Sequence, residues 1–110
     1  MTTHAYVHEA TIIVSEGTDP AAVGAEVTNA LCGRWDHDGP CRWPHNNHIE
    51  DTRFRTIFIA TDDDEPEVRR RIRAALSNQS AWRMEADSSR DVAESEKVLA
   101  EQLFKAPRLG

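Results

Sequence analysis

The sequence predicts a single α+β domain spanning residues 1–110, with four strands and three helices. Its length of 110 residues suits one domain with one small core. Short stretches rich in β-branched or alternating apolar residues are interspersed with stretches whose apolar residues recur at helical spacing. Neither an internal repeat nor a linker-like tract divides the chain, so a multidomain organisation is not expected.

The first half of the chain predicts a strand, a helix and a second strand. Residues 4–15, HAYVHEATIIVS, form a short segment rich in β-branched residues, which predicts a strand. Their alternation places apolar side chains on both faces, with Tyr6, Ile12 and Val14 on one and Val7 and Ile13 on the other. The helix begins near Thr18 or Asp19, and its predicted buried stripe comprises Val23, Val27, Ala30 and Leu31. A short strand within residues 41–49 follows, and Pro44 restricts it to a sheet edge.

The second half repeats this alternation. Residues 53–61, RFRTIFIAT, predict a strand with Phe54 and Phe58 on one face and Ile57 and Ile59 on the other. The acidic residues 62–65 predict the start of a helix. Its predicted buried face comprises Val68, Ile72, Ala75 and Leu76. Residues 81–87 alternate like a half-buried strand. A Ser-x-x-Asp sequence at Ser88 predicts the start of a last helix that carries Val92, Leu99 and Leu103.

The element order βαββαβ, followed by a helix, resembles the ferredoxin-like sandwich, in which four antiparallel strands carry two helices on one face. The opposite face of such a sheet would be apolar here and must be covered. Either the C-terminal helix folds across it or a second copy packs against it. Of these two we expect a homodimer, with the last helix contributing to the contact.

Composition excludes several classes of protein. A formal net charge of −6 disfavours binding to a nucleic-acid backbone. The basic cluster Arg69–Arg73 is interpreted as the solvated face of a helix. No apolar run reaches the roughly 20 residues of a membrane span, and the N-terminus lacks the pattern of a signal peptide. The expected location is therefore the cytoplasm. Cys32 and Cys41 could close a short loop if oxidised, which would add about 2–3 kcal/mol, but in a reducing cytoplasm they should remain free thiols.

The predicted topology gathers potential metal ligands at one edge of the sheet. In this fold the start of the first strand, the loop before the second strand and the loop after the third strand share that edge. These segments contain all five histidines and both cysteines: His4, His8, Cys32, His37, Cys41, His45 and His48. Imidazole and thiolate suit borderline divalent metals, so the sequence predicts a site for Co²⁺, Ni²⁺ or Zn²⁺. The spacing C-x4-H-x3-C-x3-H-x2-H lacks the paired C-x2-C of a structural zinc module.

The seven candidates are not equivalent. The first-choice ligands are His45, His48, His37 and Cys41. In a regular strand His45 and His48 would face opposite sides of the sheet, but Pro44 favours an irregular path on which they could converge.

The remaining candidates have simpler structural interpretations. Cys32 is more typical of a small buried apolar residue, His4 of a frayed terminus and His8 of a polar residue at a strand edge. The acids at residues 62–64 suit a helix cap better than a metal site. Trp35 and Trp43 are expected to close the sheet end.

Two other functional classes stay open. A small dimeric α/β enzyme or ligand-binding domain could use Asp36 and His37 as an acid–base pair. No nucleophile elbow, P-loop or glycine-rich dinucleotide motif indicates a particular reaction. A plain interaction module, recruiting a partner through its apolar sheet face, is the third alternative.

The small acidic chain, its element order and the histidine-rich segment DHDGPCRWPHNNHIE resemble a known family. They are similar to the small cobalt metallochaperones encoded beside actinobacterial nitrile hydratases, particularly those of the acetonitrile type. The resemblance implies a homodimer that delivers Co²⁺ to a nitrile hydratase and has no enzymatic activity of its own.

Overall fold

The computed structural model describes residues 2–32, 42–77 and 79–105. Its elements are β1 (Thr3–Val14), α1 (Ala21–Cys32), β2 (His45–Glu50), β3 (Arg53–Thr61), α2 (Glu65–Ser77), β4 (Trp82–Arg90), a 3₁₀ turn (Glu94–Glu96) and α3 (Lys97–Phe104). The predicted α+β class is therefore confirmed. Within the described ranges, no helix is long and apolar enough to span a membrane.

The four strands form one sheet in the order β2-β3-β1-β4, and every neighbouring pair is antiparallel. The long strand β1 is central, with Thr3 opposite Thr61 of β3 and Val7 opposite Arg90 of β4. The strand β2 lies at an edge of the sheet, as Pro44 predicts, because proline cannot donate a ladder hydrogen bond.

The main core lies between one face of the sheet and the two helices α1 and α2. It contains the three predicted stripes, which belong to β3, α1 and α2: Phe54, Phe58, Val23, Val27, Leu31, Val68, Ile72, Ala75 and Leu76. Each fully buried large apolar side chain stabilises the fold by about 1.5–3 kcal/mol. The predicted alternation of β1 is also confirmed, since Tyr6, Ile12 and Val14 contact this core while Val7 belongs to a second cluster.

The second cluster lies on the opposite face of the sheet, beneath α3. Val7 and Ile57 are completely buried there against Ala100, with Leu99, Leu103 and Val92 packed around them. The C-terminal helix thus covers the apolar face on which we expected a second copy to pack.

A buried carboxylate fastens α3 to the sheet. Glu96 is 7% exposed, and its two oxygens accept hydrogen bonds of 2.8 and 3.0 Å from Arg90 of β4. Nε of Arg55 in β3 lies 3.2 Å from Oε2 of Glu96. The hydrogen bonds from Arg90 lower the pKa of Glu96 to about 2, so this carboxylate stays ionised. The helix is therefore held by ion pairs as well as by apolar contacts.

The predicted helix start at Ser88 is wrong. β4 continues through Arg90, and Ser88 and Ser89 lie opposite Glu9 and His8 of β1. Helical structure begins only at Glu94. Pairing with the long central strand outweighs the local capping preference of serine, which amounts to about 1 kcal/mol.

Candidate functional site

The predicted meeting of three segments at one end of the sheet is confirmed. Thr3 at the start of β1 lies opposite Thr61 at the end of β3, and His45 at the start of β2 lies opposite Phe58. Phe58 in turn lies opposite Tyr6. This end of the sheet, with His4, Tyr6, His45 and Asp62, is called the pole below.

At the pole, His45 lies beside Cys32. The Sγ atom of Cys32, the last residue of α1, is 3.9 Å from Nδ1 of His45, the first residue of β2. The same Nδ1 lies 3.0 Å from the carbonyl oxygen of Trp43, and Nε2 lies 2.8 Å from Oγ1 of Thr28. Both side chains are only partly buried, so one sulfur and one imidazole are brought together near solvent.

A hydrogen-bond chain fixes the orientation of this imidazole. Asn47 donates from Nδ2 to Oγ1 of Thr28 over 3.1 Å and to the carbonyl of Gly24 over 3.0 Å. Because the carbonyl of Trp43 can only accept, we assign the ring hydrogen to Nδ1, and Nε2 then accepts from the hydroxyl of Thr28. The ring is held from α1 on one side and from the segment just before β2 on the other.

Cys32 is disulfide-bonded. The chain's other cysteine is Cys41, which lies outside the described residues. The expectation of a free thiol at Cys32 is wrong for this structure. It rested on the reducing potential of an assumed compartment, which says nothing about whether two sulfurs come within bonding distance.

Trp43 closes the pole, as predicted. It is 3% exposed and donates from Nε1 to Oδ2 of Asp64 over 3.2 Å. The guanidinium carbons of Arg42 and Arg71 lie 4.8 and 4.9 Å from its ring centroid. Trp35, to which the same role was assigned, lies outside the described residues.

His4 lies in a different corner of the pole. Its Nε2 is 3.6 Å from Asp62, which also accepts a hydrogen bond from the hydroxyl of Tyr6. Burial of the phenol and the bond to Asp62 raise the pKa of Tyr6 to about 12. Because β1 and β2 are separated by β3, the backbones of His4 and His45 lie roughly 10 Å apart or more.

The predicted convergence of His45 and His48 is wrong. Residues from His45 to Glu50 form a regular strand, so positions three apart face opposite sides of the sheet. The side chain of His48 is 56% exposed, and its Nε2 lies 3.6 Å from Glu50. Pro44 precedes the strand and does not disturb its regularity.

The prediction for His8 is also wrong, because its strand is central and its side chain is completely buried. Its Nε2 lies 2.7 Å from Oδ2 of Asp87, and its Nδ1 lies 3.0 Å from a guanidinium nitrogen of Arg69. Since a guanidinium can only donate, Nδ1 accepts and Nε2–H donates to the carboxylate. Burial lowers the pKa of His8 and favours the neutral imidazole.

The sequence interpretation placed Arg69 on a solvated face, but its side chain is largely shielded from solvent. Its side chain is 11% exposed and binds Glu65 over 2.7 Å and the carbonyl of Val7 over 2.9 Å. The interpretation of a solvated basic face holds for Arg70, which pairs with Glu67 at the surface. The one local signal for Arg69 is the spacing of four residues from Glu65.

The five predicted ligands that the structure describes therefore do not all lie together. Cys32 and His45 lie together, while His4, His8 and His48 each lie elsewhere among different partners. His37 and Cys41 lie outside the described residues, as does the predicted acid–base partner Asp36. In the part of the chain that the structure describes, no three His, Cys, Asp or Glu residues form a group that could hold a metal ion.

Comparison with known proteins identifies no relative. Neither a protein-family model, nor a curated protein, nor a solved structure matches the chain significantly.

Proposed function

We propose that this protein binds a divalent transition metal at the pole and carries it to another protein. Cys32 and His45 are the ligands that we assign among the described residues. The observation that supports this proposal is the distance of 3.9 Å between Sγ of Cys32 and Nδ1 of His45. The resemblance of the histidine-rich segment to cobalt metallochaperones suggests Co²⁺ as the metal.

The distance between the two atoms suits shared coordination. A tetrahedral ion with a metal–sulfur bond of about 2.3 Å and a metal–nitrogen bond of about 2.0 Å holds the two ligand atoms about 3.5 Å apart. The separation in the structure exceeds this by a few tenths of an ångström. A small side-chain adjustment would therefore allow both atoms to bind one ion.

The surroundings of His45 suit a metal ligand. A metal on Nδ1 replaces the hydrogen bond from this nitrogen to the carbonyl of Trp43. The proton then resides on Nε2 and is donated to Oγ1 of Thr28, 2.8 Å away. A hydrogen bond from the ring nitrogen that does not bind the metal commonly orients a metal-bound imidazole.

Two protein ligands leave the coordination shell incomplete. By sequence, His37 and Cys41 remain candidates for further positions. His4, His8 and His48 are not part of the proposed set, because their described partners lie elsewhere. An open shell suits a carrier, which must release its ion. Cobalt would have to be selected by geometry and availability, because copper binds such ligands more tightly.

We further propose a ferredoxin-like topology, a homodimeric assembly and a nitrile hydratase as the protein that receives the metal. The strand order β2-β3-β1-β4, with α1 and α2 on one face, supports a ferredoxin-like topology. The outer surface of α3 exposes Val98 by 65% and Phe104 by 39%, which supports a homodimer that uses this helix. Delivery of Co²⁺ to a nitrile hydratase follows from the resemblance alone, and a cytoplasmic location is proposed from the sequence pattern of the N-terminus.

Titration of the chelator-stripped, reduced protein with Co²⁺ tests this function. We expect saturable uptake by calorimetry, together with a thiolate-to-cobalt charge-transfer absorption that reports the sulfur ligand. His45→Ala should abolish or greatly weaken uptake. The matched control is His48→Ala, which removes an exposed imidazole from the opposite sheet face and should bind normally. Absence of saturable uptake by the reduced wild-type protein contradicts the proposal.

The alternative of acid–base catalysis is not assigned to any described residue. The closest described pair of imidazole and carboxylate is His8 with Asp87, at 2.7 Å. Its imidazole is completely buried and both ring nitrogens are hydrogen-bonded, so it offers no proton to a substrate.

A further inference from the structure

We propose that the oxidation state of Cys32 controls metal uptake at the pole. The disulfide form does not take up the ion, and reduction produces the form that does. This inference rests on the function proposed above and adds its regulation.

One sulfur atom would have to form both the disulfide bond and the bond to the metal. Sγ of Cys32 is disulfide-bonded and at the same time lies 3.9 Å from Nδ1 of His45. A thiolate carries a negative charge and is the metal-binding form of cysteine, whereas a disulfide sulfur is neutral and a poor ligand. The disulfide and the metal therefore compete for the same atom.

A thiol reductant, such as a dithiol or two equivalents of a small monothiol, can supply the two electrons that reduction needs. A reductant thiolate attacks one sulfur, the S–S bond breaks, and a mixed disulfide forms while the other cysteine leaves as a thiolate. A second reductant thiolate then releases the remaining cysteine. The protein disulfide gains two electrons and two protons, and the reductant departs as its own disulfide. The metal finally displaces the thiol proton of Cys32.

Two of the contacts that position the imidazole are independent of the disulfide. Thr28 and the carbonyl of Trp43 hold its two nitrogens, and neither contact involves a sulfur. Asn47 of β2 binds the backbone of α1 at Gly24, where an added Cβ would lie 3.2 Å from that of Asn47. Because α1 and β2 are in such close contact, reduction should leave Cys32 and His45 side by side.

The test compares the oxidised and the reduced protein, both stripped of metal and titrated with cobalt chloride. A phosphine maintains the reduced form, because it adds no competing thiol. We expect the reduced form to bind at least tenfold more tightly, since loss of even an outer-shell partner costs about 10- to 100-fold. The charge-transfer absorption should appear in the reduced form alone. His48→Ala is the matched control and should retain the full difference.

The possible failures are distinguishable. Equal binding by the two forms overturns the redox control but leaves the carrier function standing. Absence of binding in both forms contradicts the carrier function and, with it, the control. Cys32→Ser should bind weakly with or without reductant. If Cys32→Ser binds as tightly as the reduced wild-type protein, Cys32 is not the ligand and the redox control is overturned.

Discussion

His8 and His45 both lie on the sheet face that packs against α1 and α2, but their surroundings differ. His8 is completely buried between an arginine and an aspartate, both charged. His45 is half-buried, and its described contacts include a hydroxyl, a carbonyl and a sulfur. Because the charged partners of His8 occupy both its nitrogens and exclude solvent, that ring serves the fold. The partial exposure of His45 leaves its ring accessible to a ligand.

Complete burial and two charged partners identify His8 as a structural histidine, whereas His45 is partly exposed. Neither burial nor the charge of a partner is visible in the residue type.

His8→Ala should lower the free energy of unfolding by about 3–4 kcal/mol, measured by urea denaturation. The substitution leaves a cavity and removes a hydrogen-bond partner from both Asp87 and Arg69. His48→Ala is the matched control and should change stability by less than about 0.5 kcal/mol, because its side chain is largely exposed. Equal losses in the two variants would show that the buried network has no special role.

The stability of the protein should fall as the pH drops below about 6.5, the ordinary pKa of histidine. Burial lowers the pKa of His8 in the folded state, so the unfolded chain binds the proton more readily. Protonation therefore favours unfolding, and the loss continues until the folded pKa is reached. The groups facing the ring are the Asp87 carboxylate from β4 and the guanidinium groups of Arg69 and Arg73 from α2.

Urea midpoints measured between pH 7.5 and pH 5 test this linkage, with His8→Gln as the variant. That variant should flatten the pH dependence, whereas His48→Gln should leave it as in the wild type. If the urea midpoint of His8→Gln fell with pH as steeply as that of the wild type, the pH dependence would belong to another group.

Thr28→Val should have the smallest effect on stability, a loss of about 1 kcal/mol, because it removes two hydrogen bonds that are only partly buried. Its effect on the proposed function should be clearer, with cobalt affinity reduced about tenfold, since the ring of His45 loses its orienting partner. Thr28→Ser retains the hydroxyl and should restore both quantities. Calorimetry under reducing conditions measures the affinity, and failure of the serine variant to restore it would contradict the assigned role.

Much of the fold follows from local periodicity. The stripe of Val68, Ile72 and Leu76 and the alternation of Phe54 and Phe58 predict their buried faces correctly. These patterns depend on residues a few positions apart, and the burial of each face is enforced by the same hydrophobic effect throughout. The edge position of β2 followed from one proline.

The candidate site could be predicted only in part, because its decisive contacts are distant in sequence. His8 meets its partners 61 and 79 residues away, so nothing nearby distinguishes it from a surface histidine. Ser88 looks like a helix cap until its pairing with β1 is known. The predicted topology placed Cys32 and His45 near one end of the sheet. Their contact depends on the packing of α1 against β2, which no spacing rule specifies.

The contact of Asn47 with the backbone of Gly24 has a thermodynamic consequence for any ligand at the pole. It joins the helix that supplies the sulfur to the strand that supplies the nitrogen, so the two donor atoms are preorganised by folding. An incoming ion would then lose little affinity to the ordering of the chain around it. The same rigidity limits how far the donors can spread to suit an ion of different radius, so discrimination between metals would begin in the packing of a helix against an edge strand.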